Sequence, residues 1–121
     1  MILLDTNILI EILKDNHETI KKVHSFNERL AISSISAMEL YYGAKDKAES
    51  KKLEKFISLF EIIHIDISIS SRSITLIRTY AKSHGLDIPD TLIAATALVQ
   101  GYKLFTYNIK DFRFIEGLIL L

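Results

Sequence analysis

Four carboxylates carry the chemical interest of this chain. Asp5 ends the apolar run ILLD and is followed by Thr6 and Asn7. Glu39 stands in SISAMELYYG, and Asp90 follows Pro89 in PDTLIAATALVQG. Asp111 comes shortly after YKLFT, with Asn108 between them. Burying an unpaired carboxylate costs several kcal/mol, so an acid at the end of a buried strand needs something to offset it. Several carboxylates cannot share a small site while all are ionised, because like charges repel. A hard divalent cation resolves both problems. Oxygen-only ligands, with no cysteine and no paired histidine, suit Mg²⁺ or Mn²⁺. Such a cation neutralises charge at a phosphodiester and lowers the pKa of a water. The chemistry this pattern points to is metal-assisted phosphodiester hydrolysis.

Each acid also has a purely structural reading. Asp5 could cap the helix after it, as Thr6 or Asn7 also could. Ser36 and Glu39 have the spacing of a capping box, although Glu39 shares a helical stripe with Ile35, Tyr42 and Gly43. Asp90 in a first helical turn interacts favourably with the helix dipole, yet Ile93, Ala94 and Ala97 follow it on one face. Asp87 is the better solvated cap for that helix. Asp111 and Asn108 could be turn chemistry.

The elements that would position these acids alternate between strand and helix. Strands are expected at 2–5, 29–34, 61–66 and 102–106, with a last edge strand at 117–121. Helices are expected from Thr6 or Asn7 to Leu13, and over 17–26, 36–43, 46–60, 71–85 and 89–101. NIKDF reads as one turn of helix. Pro at the start and Gly at the end of 89–101 follow the usual asymmetry. Short, solidly apolar strands alternating with helices argue for a parallel sheet covered on both faces. Ligands of such sheets sit beyond the carboxyl ends of the strands. Asp5 and the turn after Thr106 lie there, and Glu39 and Asp90 lie near helix starts. All can converge on one edge.

The chain has 121 residues, which suggests a single domain over 1–121. With no cysteine it has no disulfide, thiolate zinc site or thiol nucleophile, which fits a cytoplasmic setting. No apolar run is long enough for a membrane span, and no basic segment precedes the first strand as in a signal peptide. Fifteen basic residues balance fifteen acidic ones, which argues against a purely electrostatic nucleic-acid binder but not against an enzyme whose acids hold a metal. Apolar residues at 49% hint at a surface covered by a partner.

LLDTNILI at 3–10, SSISAMELYYGA at 33–44, PDTLIAATAL at 89–98 and LFTYNIKDF at 104–112 resemble, in order and spacing, the motifs of PIN-domain proteins. More narrowly, they resemble the VapC toxins of toxin–antitoxin pairs. The resemblance covers essentially the whole chain. It implies an α/β fold, a three-layer α/β/α sandwich with a short parallel sheet of about five strands. It also implies an endoribonuclease dependent on Mg²⁺ (or Mn²⁺). By motif, Asp5, Glu39 and Asp90 would be metal-binding acids, with Thr6 and Asn7 supporting the first. Many PIN domains carry an aspartate where Asn108 stands, two residues after Thr106. Asn108 brings no charge, so Asp111, one helical turn on, is assigned the catalytic supporting role and Asn108 a lesser one. The implied partners are an RNA substrate, a cognate VapB-like antitoxin and a second copy in a homodimer.

Other residues have less to say. His64 reads as a core or edge side chain, and His84 as a helix C-terminal charge. Lys14, Lys45, Lys110 and Arg113 could steer phosphates or simply be solvated. ELYYGA with Phe56 and Phe60 is either a covered surface or core filling. A haloacid-dehalogenase type phosphotransferase would need Asp-x-Asp where this chain has Asp5-Thr6-Asn7. A catalytically degenerate module that binds protein or RNA without cleaving it is the alternative that Asn108 keeps open.

Overall fold

The computed structural model describes residues 1–121. The elements run β1 (Ile2–Leu4), α1 (Thr6–Leu13), α2 (His17–His24), β2 (Leu30–Ser33), α3 (Ser34–Tyr42), α4 (Lys47–Ile57), β3 (Glu61–Ile63), α5 (Ile67–His84), α6 (Ile88–Gln100) and β4 (Lys103–Phe105), then a 3₁₀ turn at Ile109–Asp111. The strands form one sheet in the order β3-β2-β1-β4, and every pairing is parallel.

Strand alternation explains the layers. Successive side chains of a strand point to opposite faces. Leu3, Ala31 and Leu104 accordingly enter one core with α5, α6 and Phe112. Ile2, Leu4, Ile32 and Phe105 enter the other, with residues of α1 to α4. Both faces are covered, so the strands carry no polar side and read as solid apolar runs. The expected α/β/α sandwich is realised.

The sheet has four strands rather than about five. The 117–121 segment makes only a single parallel bridge, Leu104 to Leu120, with backbone bonds from Leu104 N to Ile119 O and from Leu121 N to Leu104 O. It occupies the expected edge beside β4 without becoming a ladder. Other boundaries shift as well: α3 starts at Ser34 rather than 36, and α4 ends at Ile57 rather than 60. The long helix α5 begins at Ile67, not 71, because the Asp66 side chain accepts from Ile69 N at 2.8 Å. The serines at 68, 70 and 71 are weak helix formers and hide this start. The strand expected at 61–66 therefore stops at Ile63. Gly85 and Gly101 end α5 and α6 in the left-handed conformation, with φ of +68° and +71°, where glycine carries no Cβ penalty.

The chain runs outward from β1 to β2 and β3, then returns to place β4 on the other side of β1. Strand order thus reverses between β1 and β4. In an open parallel sheet the carboxyl ends at such a switch point are where a ligand crevice forms. The residues immediately past those two ends are Asp5 and Thr106.

Candidate metal centre

Asp5 takes the capping role the sequence allows and makes a second bond besides. It is the N-cap of α1, its Oδ1 accepting from Thr6 N at 2.8 Å. Its Oδ2 accepts from the Thr106 hydroxyl at 2.7 Å, across the switch point. Asp5 is 4% exposed and Thr106 2%. Burial is the main influence on the Asp5 carboxyl, and it raises the pKa against two hydrogen bonds that lower it. The nearby charges of Glu39 and Asp111 raise it further.

Asp90 lies in the first turn of α6. Asp87 is the cap of that helix, its Oδ1 accepting from Asp90 N at 2.9 Å, which leaves the Asp90 carboxyl free to face the crevice. The helix dipole favours a negative charge there, but burial outweighs it. Burial first, then the charges of Asp87, Asp5, Asp111 and Glu39, push the Asp90 pKa up to about 7. The charges of Glu39 and Asp111 thus act on both Asp5 and Asp90.

Glu39 is not a capping residue. Helix α3 starts at Ser34 and is capped by Ser33, whose hydroxyl accepts from Ile35 N at 3.1 Å. Glu39 Oε1 instead accepts from the Thr6 hydroxyl at 2.8 Å. That hydroxyl also lies 2.8 Å from Ser36 Oγ. Thr6 therefore supports the first acid by its backbone and the second acid by its side chain.

Asn7 is bonded to the turn after β4. Its Nδ2 donates to Thr106 Oγ1 at 3.4 Å, and its Oδ1 accepts from Tyr107 N at 3.4 Å. Asn108 N donates to Thr106 Oγ1 at 3.0 Å, so Asn108 contributes its backbone to the site. Asp111 ends the 3₁₀ turn, exposed, and acts on both Asp5 and Asp90 through its charge.

No positive side chain neutralises this group. The chain's ion pairs engage Glu28 and Glu61, not these four acids. Two carboxyls with raised pKa, Asp5 and Asp90, in a group without a cationic partner, suit a hard divalent ion. No three of the four acids are gathered as a direct ligand set. An ion held here would be bound partly through water, as Mg²⁺ commonly is.

The remaining sequence candidates lie around this centre or away from it. Lys14 lines a groove with Ile10, Leu13, Leu40 and Glu39. Lys45, Lys110 and Arg113 are exposed and form no ion pair. His64 is exposed just past β3, not in the core. His84 ends α5 and stacks on Phe114, with ring centroids 4.2 Å apart. Phe56 and Phe60 pack against the core beneath α1 to α4, whereas Tyr42 is 94% exposed. No helix is long and apolar enough to cross a membrane.

The sequence reading missed three supporting side chains. Ser36 is one, since its spacing from Glu39 suggests only a cap. Thr19 and Tyr107 are the others: their hydroxyls lie 2.6 Å apart and tie the turn after β4 to α2. Thr19 is fully buried and has no other side-chain partner. Tyr107→Phe should therefore destabilise the chain by about 1–3 kcal/mol, the cost of an orphaned buried hydroxyl. Adding Thr19→Val should recover most of that loss. Denaturant midpoints of the two variants test this, and an unchanged midpoint for Tyr107→Phe would show that the bond contributes nothing.

Residues 2–117 match the PIN domain family. Ribonuclease VapC2 of Rickettsia felis is 35% identical, aligned over 98% of this chain and 94% of its own length. The tRNA(fMet)-specific endonuclease VapC of Salmonella typhimurium is 34% identical over 96% and 92%. Among solved structures, a chain of VapBC2 from Rickettsia felis bound to a DNA fragment from its promoter superposes with a TM-score of 0.85 at 35% identity, covering 100% of this chain and 98% of that one. DNA-bound VapBC from Salmonella typhimurium gives 0.84 at 33%, covering 99% and 96%. Similarity along nearly the whole chain shows that the chain belongs to the PIN-domain family and, within it, to the VapC type.

Proposed function

We propose that this chain is an endoribonuclease, the toxin of a toxin–antitoxin pair, and that its nuclease centre is the acid group at the β1–β4 switch point. The observation that carries this reading is Asp5, buried at the β1–β4 switch point and bonded to Thr106 at 2.7 Å, with the charges of Glu39 and Asp111 acting on it. Relatives of similar length named as VapC ribonucleases support it.

Asp5, Asp90 and Glu39 would hold Mg²⁺ or Mn²⁺. The ion, when bound, supplies charge neutralisation at the phosphodiester and a water that is nucleophilic at neutral pH. The chain's own residues supply position. Thr106 and the Thr6 backbone fix both oxygens of Asp5. Thr6 fixes one oxygen of Glu39. Asn7 ties the end of β4 to the start of α1. Asp111 adds negative charge without burial, so it suits attraction of the cation more than rigid ligation. An antitoxin of the VapB kind is the expected silencing partner, as VapBC assemblies are found for structural relatives. A second copy of the chain and a cytoplasmic setting complete the proposal.

Purified chain, stripped with EDTA, should leave single-stranded and structured RNA intact and cut it when Mn²⁺ or Mg²⁺ is restored. No metal response together with no cleavage of any RNA class would favour a non-cleaving binding module. The same assay separates the two candidates for the fourth position. Asp111→Asn should slow cleavage about 10- to 100-fold, the scale of outer-sphere carboxylates at metal sites. Asn108→Ala should stay close to wild type, because the bond Asn108 contributes is made by its backbone. The reverse ranking would assign the fourth position to Asn108.

A further inference from the structure

Tyr107 is the residue after Thr106, whose hydroxyl holds Asp5. It is 48% exposed, yet three contacts fix it. Its backbone N donates to Asn7 Oδ1 at 3.4 Å. Its hydroxyl lies 2.6 Å from that of Thr19, which is fully buried on α2. Its ring meets Phe105 in a T-shaped contact, with centroids 5.5 Å apart and planes at 74°. Phe105 and Tyr107 are two residues apart, the spacing that puts side chains on one face of a strand. Phe105 faces the core beneath α1 to α4, and Tyr107 continues that row past the end of β4.

These contacts leave much of the ring uncovered. A T-shaped pair takes at most one face of Tyr107, and Thr19 takes only the hydroxyl tip. Tyr42 is more exposed, but it lies at the end of α3 and no hydrogen bond or neighbouring ring holds it. An open aromatic face is where a nucleobase stacks, and every base can do so because every base has a π-face. A ring already fixed loses little freedom on binding. A cation accompanies it. Lys22 is exposed, forms no ion pair and follows Thr19 by three residues, on the same face of α2. Stacking rings beside cations that meet phosphates are the means by which single strands are bound.

We propose that Tyr107 is a stacking platform for one unpaired nucleobase of an RNA strand lying at the acid centre. This rests on the proposed nuclease reading and adds to it a residue that touches substrate without holding the ion. The base is read by shape and not by hydrogen bonds, so Tyr107 favours single strands over duplex without choosing a sequence.

The test is binding of a fluorescein-labelled, unstructured RNA oligonucleotide of mixed sequence to the full chain in EDTA, followed by fluorescence anisotropy. Tyr107→Leu should weaken binding about tenfold, the low end of what one stacked base contributes. Tyr107→Phe loses the Thr19 bond but keeps the ring, and should bind close to wild type. The same oligonucleotide annealed to its complement presents no free base face, so Tyr107→Leu should bind that duplex as wild type does. Wild-type affinity of Tyr107→Leu for the single strand, equal affinities of the Leu and Phe variants, or an equal loss on duplex would each overturn the platform. If Tyr107→Leu does not fold, Leu and Phe are compared in the Thr19→Val background, where no hydroxyl is orphaned. Equal affinities there overturn it too. A chain that cleaves RNA with Mn²⁺ while Tyr107→Leu binds like wild type sinks only this inference. A chain that never cleaves, but whose single-strand binding falls in Tyr107→Leu, keeps the platform and sinks the nuclease centre.

Discussion

Asp5→Asn is expected to eliminate RNA cleavage and the stabilisation by Mn²⁺ together, while the metal-free protein stays folded. The reason is the double duty of Asp5. Its side chain caps α1 through Thr6 N, and asparagine caps about as well. What asparagine lacks is the charge and the second acceptor oxygen that meets Thr106. A site metal contributes several kcal/mol of transition-state stabilisation, and about 1.4 kcal/mol is a factor of ten in rate. The loss should therefore reach a thousandfold or more. At a Mn²⁺ concentration about 100 times the dissociation constant, wild type should gain about 2.7 kcal/mol by mass action, read as an upward shift of several degrees in the thermal midpoint. Asp5→Asn should show no shift. Its metal-free midpoint at pH 8 should hold or rise, because burial and the charges of Glu39 and Asp111 disfavour the ionised carboxyl in the folded state. Retained cleavage in this variant would move the nuclease centre elsewhere. A collapse of the metal-free fold would reassign Asp5 to capping alone.

The metal-free protein should also lose stability as the pH rises from about 5 to 8, a window in which most proteins are near their optimum. The Asp90 carboxyl sits at about 7 in the folded chain against an ordinary value of 3.8, and that of Asp5 is raised too. A raised folded pKa means that the folded state binds protons more tightly than the unfolded one. That contribution is complete below the unfolded pKa and is lost as the pH rises through about 7. Asp90 is only partly buried, so solvent screening moderates the size of the effect but not its sign. Asp90→Asn should flatten the profile. Saturating Mn²⁺ should reverse it, since metal binding requires the ionised acids and releases their protons. Thermal midpoints at pH 5, 6, 7 and 8, with and without Mn²⁺, supply the check. Parallel profiles in the two conditions would remove these acids from the metal site.

The acids were legible in the sequence because an ionisable residue in an apolar run violates a local rule. Asp5 after ILLD and Asp90 before LIAATA are conspicuous for that reason. The parallel, doubly covered sheet was legible from strands without a polar side, and the reversal of strand order then explains why the ends of β1 and β4 are the candidate site. Glu39 shows the limit. Its spacing from Ser36 fits a capping box, and only the start of α3 at Ser34, with Ser33 as cap, makes that reading untenable. The fifth strand shows another. GLILL has the apolar character of a strand, but a single bridge at Leu120 is all that forms.

The sequence by itself determined the order of elements, the two-faced core and the candidate acids, since hydrophobic period, capping and charge act over a few neighbouring residues. Only the tertiary structure decided which hydroxyls hold those acids. Thr106 meets Asp5 across 101 positions of chain, and Ser36 meets Thr6 across 30. A serine or threonine side chain leaves no periodic trace of its distant partner. Its bond exists only because the sheet brings two strand ends and two helix starts to one edge.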